Sequence, residues 1–319
     1  MHVLLVDDET GEIEATGFAG GFPNTIWLAA SADGARLYAA RDTGITAFDA
    51  RGPRLVQSAG CEIGHTQPCH MSLSSDGRRL YFAEYTDAVC GTVDLESWRV
   101  VSAALVGSGP NLPRQGKAHA HCAVETPDGR FLCVVDLGSD AIWLFDANTM
   151  KLRGKVDTAP GAGPRHLAFH PSGKFAYIVY ELGNIVTSFR YEDGEFSPTG
   201  TQTLLPSGFS GQSQAAALKL SADGRRLFAT NRGHDSVAVF DIDFDTGRLS
   251  LAAISPLGGS WPRDFTVLPG ERIALACLER AGEVRSFRYE KRTGRFTPLS
   301  HVFRTHRPVV AVACTACRV

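Results

Sequence analysis

The 319-residue sequence lacks any apolar run long enough to cross a membrane. A membrane-spanning helix needs about 20 consecutive, predominantly apolar residues. The first residues, MHVLLVDDETGEI, contain one short apolar run that is followed by acidic residues. A secretory signal has a longer apolar region, preceded by a basic segment. We therefore expect a cytoplasmic protein with no membrane partner.

Clusters of basic residues are also missing. The chain has 32 lysines and arginines against 34 aspartates and glutamates, and its formal net charge is −2. A nucleic-acid-binding protein usually carries a basic patch on one face. The composition therefore predicts a protein with no nucleic-acid partner, and it leaves the oligomeric state open.

Cysteine is present, but not in the spacing of a metal site. Of the eight cysteines, only Cys314 and Cys317 form a Cys-x-x-Cys pair. A structural zinc site of this type needs a second pair of ligands. Most of the other cysteines fall in strand-like apolar runs, where a free thiol behaves as a small core residue. We therefore expect buried free thiols and no metal.

Helical periodicity is nearly absent, and one pattern recurs six times instead. Each copy has a glycine-containing turn, then basic residues, and then two apolar runs that are joined by a polar turn. The copies are SADGARLYAARDTGITAF, SSDGRRLYFAEYTDAVCGTV, TPDGRFLCVVDLGSDAIWLF, HPSGKFAYIVYELGNIVTSF, SADGRRLFATNRGHDSVAVF and LPGERIALACLERAGEVRSF. Their glycines, from Gly34 to Gly270, lie 43 to 52 residues apart. Self-similarity at such a period indicates a repeat architecture.

The runs within each copy are short, rich in Val, Ile, Phe and Tyr, and bounded by turn residues, which predicts strands. Further strand candidates, such as HMSLS and AHCAVE, directly precede the glycine turns. Four antiparallel strands at this period predict an all-β protein with the blades of a β-propeller. An open solenoid of hairpins is the alternative.

Six blades can be read along the chain, and the two termini predict a seventh. HVLLVDDETGEIEATG resembles the third and fourth strands of a blade, and RPVVAVAC, which ends at Cys314, resembles a first strand. The missing strand would come from the CTACRV tail or from a short strand ahead of Met1. Closure by both termini removes the free sheet edges. We therefore predict one seven-bladed domain over residues 1–319.

Polar residues recur ahead of the first strand of a repeat or at the end of the second strand. Such positions meet at one end of a propeller. Those ahead of first strands are His70, Arg114, Lys117, His119, His121, Arg165, His166, Arg263 and Asp264. Those at the ends of second strands are Tyr180, Glu181, Asn231 and Arg232. Because these polar residues recur at equivalent positions, we predict that they share one site. A metal bound by His119 and His121 is the alternative.

Several of these segments resemble a known family. GSGPNLPRQGKAHAHCAVETPDGRF, GPRHLAFHPSGKFAYIVYELGNIVTSF and LFATNRGHDSVAVFDID are similar to the seven-bladed propeller lactonases, and PCHMSLSSDGRRLYFAEY and WPRDFTVLPG fit too. That family includes propeller-type 6-phosphogluconolactonases and carboxymuconate-lactonizing enzymes. The resemblance implies the catalytic residues His121, Arg165, Glu181 and Arg232. The chain departs from the family's usual asparagine at Tyr180, in the AEY segment and in the CLE segment, and these departures bear mainly on the substrate.

Lactone opening suits these residue types. His121 or Glu181 could serve as general base or acid, and Arg165 and Arg232 could stabilise the oxyanion. We expect substrate binding by His70, Arg114, Lys117, His119 and Arg263, because paired donors of this kind hold phosphate or carboxylate. The predicted function is hydrolysis of a sugar lactone, 6-phosphogluconolactone above others, without a cofactor. Cyclisation of a carboxylated muconate and a non-catalytic binding propeller are the alternatives.

Overall fold

The computed structural model describes residues 1–19, 24–52 and 54–314. Its contacts divide the chain into two compact units. The first includes Met1–Val3 and Thr16–Arg165, and the second comprises Leu4–Ala15 and His166–Ala313. The prediction of one domain over residues 1–319 stays a prediction.

An N-terminal hairpin, β1 (His2–Val6) and β2 (Ile13–Phe18), precedes the repeats as a two-stranded sheet. This confirms two strands in HVLLVDDETGEIEATG. Within the second unit, Leu4, Val6 and Ile13 pack against a buried cluster that contains Ile273 and Cys277. The hairpin's apolar side chains are therefore held by the last sheet of the chain.

Three four-stranded antiparallel sheets follow in the first unit. They comprise β3 (Leu28–Ala30), β4 (Arg36–Arg41), β5 (Gly44–Asp49) and β6 (Val56–Glu62); β7 (His70–Leu73), β8 (Arg79–Glu84), β9 (Val89–Asp94) and β10 (Val100–Ala104); and β11 (Ala120–Glu125), β12 (Phe131–Asp136), β13 (Ala141–Asp146) and β14 (Leu152–Asp157). Between the second and third sheets, Tyr81, Val134 and Phe145 belong to one buried cluster.

Three further antiparallel sheets follow, and the boundary between the units falls inside the first strand of the first of them. They comprise β15 (Pro164–Phe169), β16 (Phe175–Tyr180), β17 (Ile185–Glu192) and β18 (Glu195–Thr203); β19 (Gln214–Leu220), β20 (Arg226–Arg232), β21 (Ser236–Ile242) and β22 (Leu249–Pro256); and β23 (Pro262–Val267), β24 (Ile273–Leu278), β25 (Glu283–Glu290) and β26 (Arg295–Arg304). All six predicted repeats are confirmed as four-stranded sheets.

Burial differs along each sheet, and the difference fixes where polar groups can lie. Every residue of β16 and of β24 is buried, whereas β14 and β18 alternate or are largely exposed. The second strand of a repeat is therefore covered on both faces, and its run of apolar side chains follows from that. Polar residues can be accommodated where such strands end.

The turn between the first and second strands requires a left-handed residue. Gly224 has φ of +71°, which glycine adopts without steric cost. In the sixth repeat the equivalent residue is Glu271, with φ of +50°, and Gly270 lies one position earlier. Both Gly224 and Glu271 donate their N–H to the carbonyl three residues before. The glycine pattern placed the sixth turn one residue too early. The backbone hydrogen bond, and not the residue type, defines the position of the turn.

The predicted strand at RPVVAVAC is wrong in the part of the chain that the structure describes, since residues 305–314 contain no strand. Side chains of β23 satisfy this segment instead. Ala311 donates its N–H to Asp264 Oδ2 at 3.0 Å, and its carbonyl accepts from Thr266 Oγ1 at 2.9 Å. Cys317 and the rest of the CTACRV segment after Cys314 lie outside the described residues.

Candidate active site

A buried ion pair joins two repeats of the second unit. Glu181 directly follows β16, and Arg232 ends β20, as the sequence predicted. Arg232 Nη2 lies 2.8 Å from Glu181 Oε2, and only 7% and 5% of the two side chains are exposed. Arg232 also donates to the carbonyls of Gln214 at 3.3 Å and Ala215 at 2.9 Å. Both charges are thus fixed by partners on neighbouring strands.

An indole ring covers the same arginine. Trp261 precedes β23, and the guanidinium carbon of Arg232 lies 5.5 Å from the centroid of its ring. Arg280, in the turn between β24 and β25, lies 3.3 Å from that centroid. We call Glu181, Arg232, Trp261 and Arg280 the arginine–tryptophan cluster. It combines one buried carboxylate, two guanidinium groups and an aromatic face.

Glu279 holds two further arginines beside this cluster. Its carboxylate accepts from Arg263 at 3.3 Å and from Arg307, and only 4% of its side chain is exposed. Burial alone would raise the pKa of Glu279, but the hydrogen bond from Arg307 and the charge of Arg263 outweigh burial and lower it. Arg263, a predicted substrate-binding residue, is therefore engaged by a carboxylate of its own sheet.

In the first unit, an aromatic residue organises the two histidines of HxH. Tyr85 stacks on His119 with ring centroids 4.1 Å apart, and the edge of His121 meets it at 5.6 Å. His119 Nδ1 lies 2.9 Å from the Tyr85 carbonyl, which fixes that nitrogen as a donor. His121 is buried and places Nδ1 4.0 Å from Cys69 Sγ. The two imidazoles therefore have different surroundings.

The predicted cations of the same segment contact Tyr85 or the residue after it. Arg114 Nη2 lies 3.5 Å from the Tyr85 hydroxyl. Lys117, which is exposed, donates to the Thr86 carbonyl at 2.6 Å. We call Tyr85, Arg114, Lys117, His119 and His121 the Tyr85 cluster. The structure brings these four predicted residues together around Tyr85, and it brings Glu181 and Arg232 together in the second unit.

His70 occupies a packing position between strands. Its Nδ1 accepts from the N–H of Ala123 at 3.3 Å, and its Nε2 lies 3.5 Å from Cys122 Sγ. The ring packs against Trp27 at 4.4 Å. His70 thus ties β7 to β11, and these contacts do not include the Tyr85 cluster.

Six predicted residues lie within strands, although they were expected ahead of them, and one of them is His70, the first residue of β7. Arg165 and His166 lie in β15, Arg263 and Asp264 in β23, and His121 in β11. The apolar run begins after these residues, but a strand is defined by its backbone hydrogen bonds, which polar residues also make. Arg165 and His166 are both buried.

Metal ligands do not converge anywhere in residues 1–19, 24–52 and 54–314, where no group of three His, Cys, Asp or Glu side chains is arranged to hold an ion. The described cysteines are free, and five of the seven are buried. Burial was predicted for the core cysteines, and it raises the pKa of the Cys133 and Cys277 thiols. The same part of the chain contains no helix that is long and apolar enough to cross a membrane.

A family model described as "Lactonase, 7-bladed beta-propeller" matches residues 1–313. The chain belongs to this lactonase family. The resemblance seen in the sequence is thereby confirmed, and the four-stranded antiparallel sheets are blades of a β-propeller. Residues 1–314, apart from the gaps named above, form six complete blades and the β1–β2 hairpin. The completion of a seventh blade stays a prediction.

This lactonase is similar to proteins of Bacillus subtilis, Pseudomonas aeruginosa and Lactobacillus plantarum. The chain is 35% identical to the 6-phosphogluconolactonase of Bacillus subtilis, over 77% of this chain and 73% of the relative. The structure of a periplasmic gluconolactonase from Pseudomonas aeruginosa matches with a TM-score of 0.90 and 28% identity, covering 97% and 93% of the two chains. A protein from Lactobacillus plantarum matches with a TM-score of 0.89 and 26% identity, over the same shares.

Sequence reasoning missed three residues of these clusters. Tyr85 belongs to the AEY segment, Trp261 lies two positions before Arg263, and Arg280 follows Glu279 in a turn. The one signal was position, since Trp261 precedes Pro262 in the segment that supplied Arg263, and a residue before proline is restricted in conformation. The ring contacts join residues that are well separated along the sequence, so the sequence alone could not show them.

Proposed function

We propose that this lactonase hydrolyses a sugar lactone, namely 6-phosphogluconolactone to 6-phosphogluconate, without a cofactor. The relatives supply the reaction class, because one is named a 6-phosphogluconolactonase and another a gluconolactonase. The observation that carries the proposal is the buried Glu181–Arg232 pair at 2.8 Å. It holds a proton acceptor beside a fixed positive charge, and lactone hydrolysis needs both.

The proposed chemistry balances with one water molecule. The water oxygen attacks the lactone carbonyl carbon while Glu181 accepts one of its protons. The carbonyl oxygen becomes an oxyanion, and Arg232 stabilises it as the charge develops. The intermediate collapses with cleavage of the ring carbon–oxygen bond, and the leaving alkoxide takes the proton from Glu181. The product is a hydroxy acid, which loses its carboxyl proton to water.

We propose further roles for residues that the sequence singled out. His121 is a second acid or base, and Arg165 is a second donor to the oxyanion. His119 and Arg114, held on Tyr85 at 2.9 and 3.5 Å, are proposed to bind the sugar hydroxyls or the anionic group of the substrate. Lys117, His70 and Arg263 are assigned weaker binding roles, since each is engaged by a neighbouring group.

The test is hydrolysis of a lactone panel followed with a pH indicator, since each turnover releases one proton. The panel contains 6-phosphogluconolactone, gluconolactone and a muconolactone, each with and without a chelator. Turnover of the phosphorylated lactone that resists the chelator supports the proposal. Turnover that the chelator abolishes contradicts cofactor independence. No turnover of either sugar lactone contradicts the proposed substrate class.

We also propose a cytoplasmic location, which free cysteines support because reducing compartments keep thiols unpaired. The Pseudomonas relative is described as periplasmic, so the two compartments have to be distinguished. Fractionation of cells that express the tagged protein tests this. Recovery in the periplasmic fraction would contradict it.

A further inference from the structure

Trp261 has a backbone conformation that its side chain disfavours. Its φ is +68°, in the left-handed region that bulky residues rarely adopt. Its N–H donates to Asp235 Oδ1 at 2.8 Å, and its carbonyl accepts from the N–H of Glu279 at 3.0 Å. Such strain costs on the order of 1–3 kcal/mol and persists where surrounding structure imposes it, commonly at functional sites. Hydrogen bonds with Asp235 and Glu279 thus hold the Trp261 backbone in this conformation.

The Trp261 ring contacts two guanidinium groups of different character. Arg232 is buried and belongs to the ion pair with Glu181. Arg280 is exposed, and its guanidinium carbon lies directly over the ring, 3.3 Å from the centroid. Contact of a cation with the face of an indole is attractive. The two guanidinium carbons lie 5.5 and 3.3 Å from the same ring centroid, so the two groups are close to each other.

The other arginines nearby each form an ion pair with a carboxylate, which two of them share. Arg263 and Arg307 contact Glu279, and Arg285 and Arg304 contact Glu283. Among the residues that the structure describes, Arg280 has no carboxylate within ion-pair distance. Its contacts are the Trp261 ring and, through its backbone N–H, the Ser260 carbonyl at 3.3 Å. The ring therefore orients a cation while leaving its charge uncompensated.

We propose that Arg280, oriented on Trp261, binds the phosphoryl group of the substrate while Arg232 faces the lactone carbonyl. This inference rests on the proposed function and assigns Arg280 as a specificity-determining residue. A guanidinium group presents paired donors that match phosphate oxygens. Trp261 is a positioning residue, because its ring orients Arg280 beside Arg232, which is itself fixed by Glu181 and two backbone carbonyls.

The test compares two substrates that differ only in the phosphoryl group. Steady-state kcat and KM are measured with 6-phosphogluconolactone and gluconolactone for the wild type, Arg280→Gln and Trp261→Phe. For Arg280→Gln we expect KM for the phosphorylated lactone to rise about tenfold, which is the loss expected for charge-assisted hydrogen bonds. We expect kcat to stay unchanged, and both parameters to stay unchanged with gluconolactone. Trp261→Phe keeps an aromatic face and should retain most of the discrimination.

Arg272→Gln is the matched control, since Arg272 is an exposed arginine of the same sheet that pairs with Glu9. It should not alter either substrate's kinetics. Inorganic phosphate should inhibit the wild type competitively and inhibit Arg280→Gln less. Equal effects of Arg280→Gln on both lactones, or no effect on either, would overturn the inference while leaving lactone hydrolysis intact. Absence of wild-type turnover would instead count against the proposed function.

Discussion

The two clusters hold their charged groups by different means. In the Tyr85 cluster, Lys117 and His119 are satisfied by backbone carbonyls, at 2.6 and 2.9 Å, and no carboxylate takes part in these contacts. In the arginine–tryptophan cluster, Arg232 is buried against a carboxylate at 2.8 Å. When the side chain that donates to a backbone carbonyl is removed, water or another donor can replace it. When the Glu181 carboxylate is removed, the charge of Arg232 stays buried without a partner. The second cluster should therefore be far more sensitive to substitution.

The largest effect is expected for Glu181→Gln. It removes the proposed base and leaves Arg232 buried without a countercharge, so we expect kcat to fall by up to about 10⁴-fold. The free energy of unfolding should fall by about 3 kcal/mol, as when one partner of a buried ion pair is removed. Stopped-flow hydrolysis and urea denaturation measure the two effects.

The exposed pair Arg272–Glu9, also at 2.8 Å, is the control for the stability part. Glu9→Gln should change the free energy of unfolding by less than about 1 kcal/mol, since surface ion pairs contribute little. A loss as large as that of Glu181→Gln would show that burial does not distinguish the two pairs. Unchanged kcat in Glu181→Gln would remove Glu181 from the mechanism.

The next effect separates the two histidines of the Tyr85 cluster. His121→Ala should lower kcat about 10²-fold, the lower end for loss of a general acid or base. His119→Ala should act mainly on KM, because its Nδ1 donates to the Tyr85 carbonyl and its ring stacks on Tyr85. The measurement is the separate determination of kcat and KM for both variants. The reverse pattern would assign the acid–base role to His119.

A comparison of the two clusters also shows which parts of the fold and of the candidate site the sequence could predict. The repeat pattern predicted the strands because alternation and turn residues act locally, over a few positions. It also brought Glu181 and Arg232 to strand ends, where they meet. It could not show that Trp261 covers Arg232, or that Glu279 engages Arg263, because these contacts depend on side-chain directions across separate strands and turns. The same limit explains Arg165, since local polarity placed it ahead of a strand that in fact contains it.

A pH-dependent effect is expected at Glu279, whose charge is shared with two arginines that are themselves partly exposed. Its pKa is lower in the folded protein than the ordinary value of 4.5. A depressed pKa stabilises the fold above the unfolded value, and this contribution disappears as pH falls through the folded value. Glu279→Gln should therefore cost about 1 kcal/mol at pH 7, and the difference from wild type should shrink below pH 4.5. Urea denaturation across this range measures it, and a difference independent of pH would contradict the assignment.

The smallest effect is expected for Lys117→Ala. Its ammonium group is exposed and donates to the Thr86 carbonyl, which water can satisfy when the side chain is removed. Surface substitutions of this kind change the free energy of unfolding by less than about 0.5 kcal/mol. We expect KM for 6-phosphogluconolactone to change much less than in Arg280→Gln, since Arg280 is oriented on the Trp261 ring whereas Lys117 donates to a backbone carbonyl. An equal or larger rise in KM would place the phosphoryl group at the Tyr85 cluster. The proposal that Arg280 binds the phosphoryl group would then be wrong.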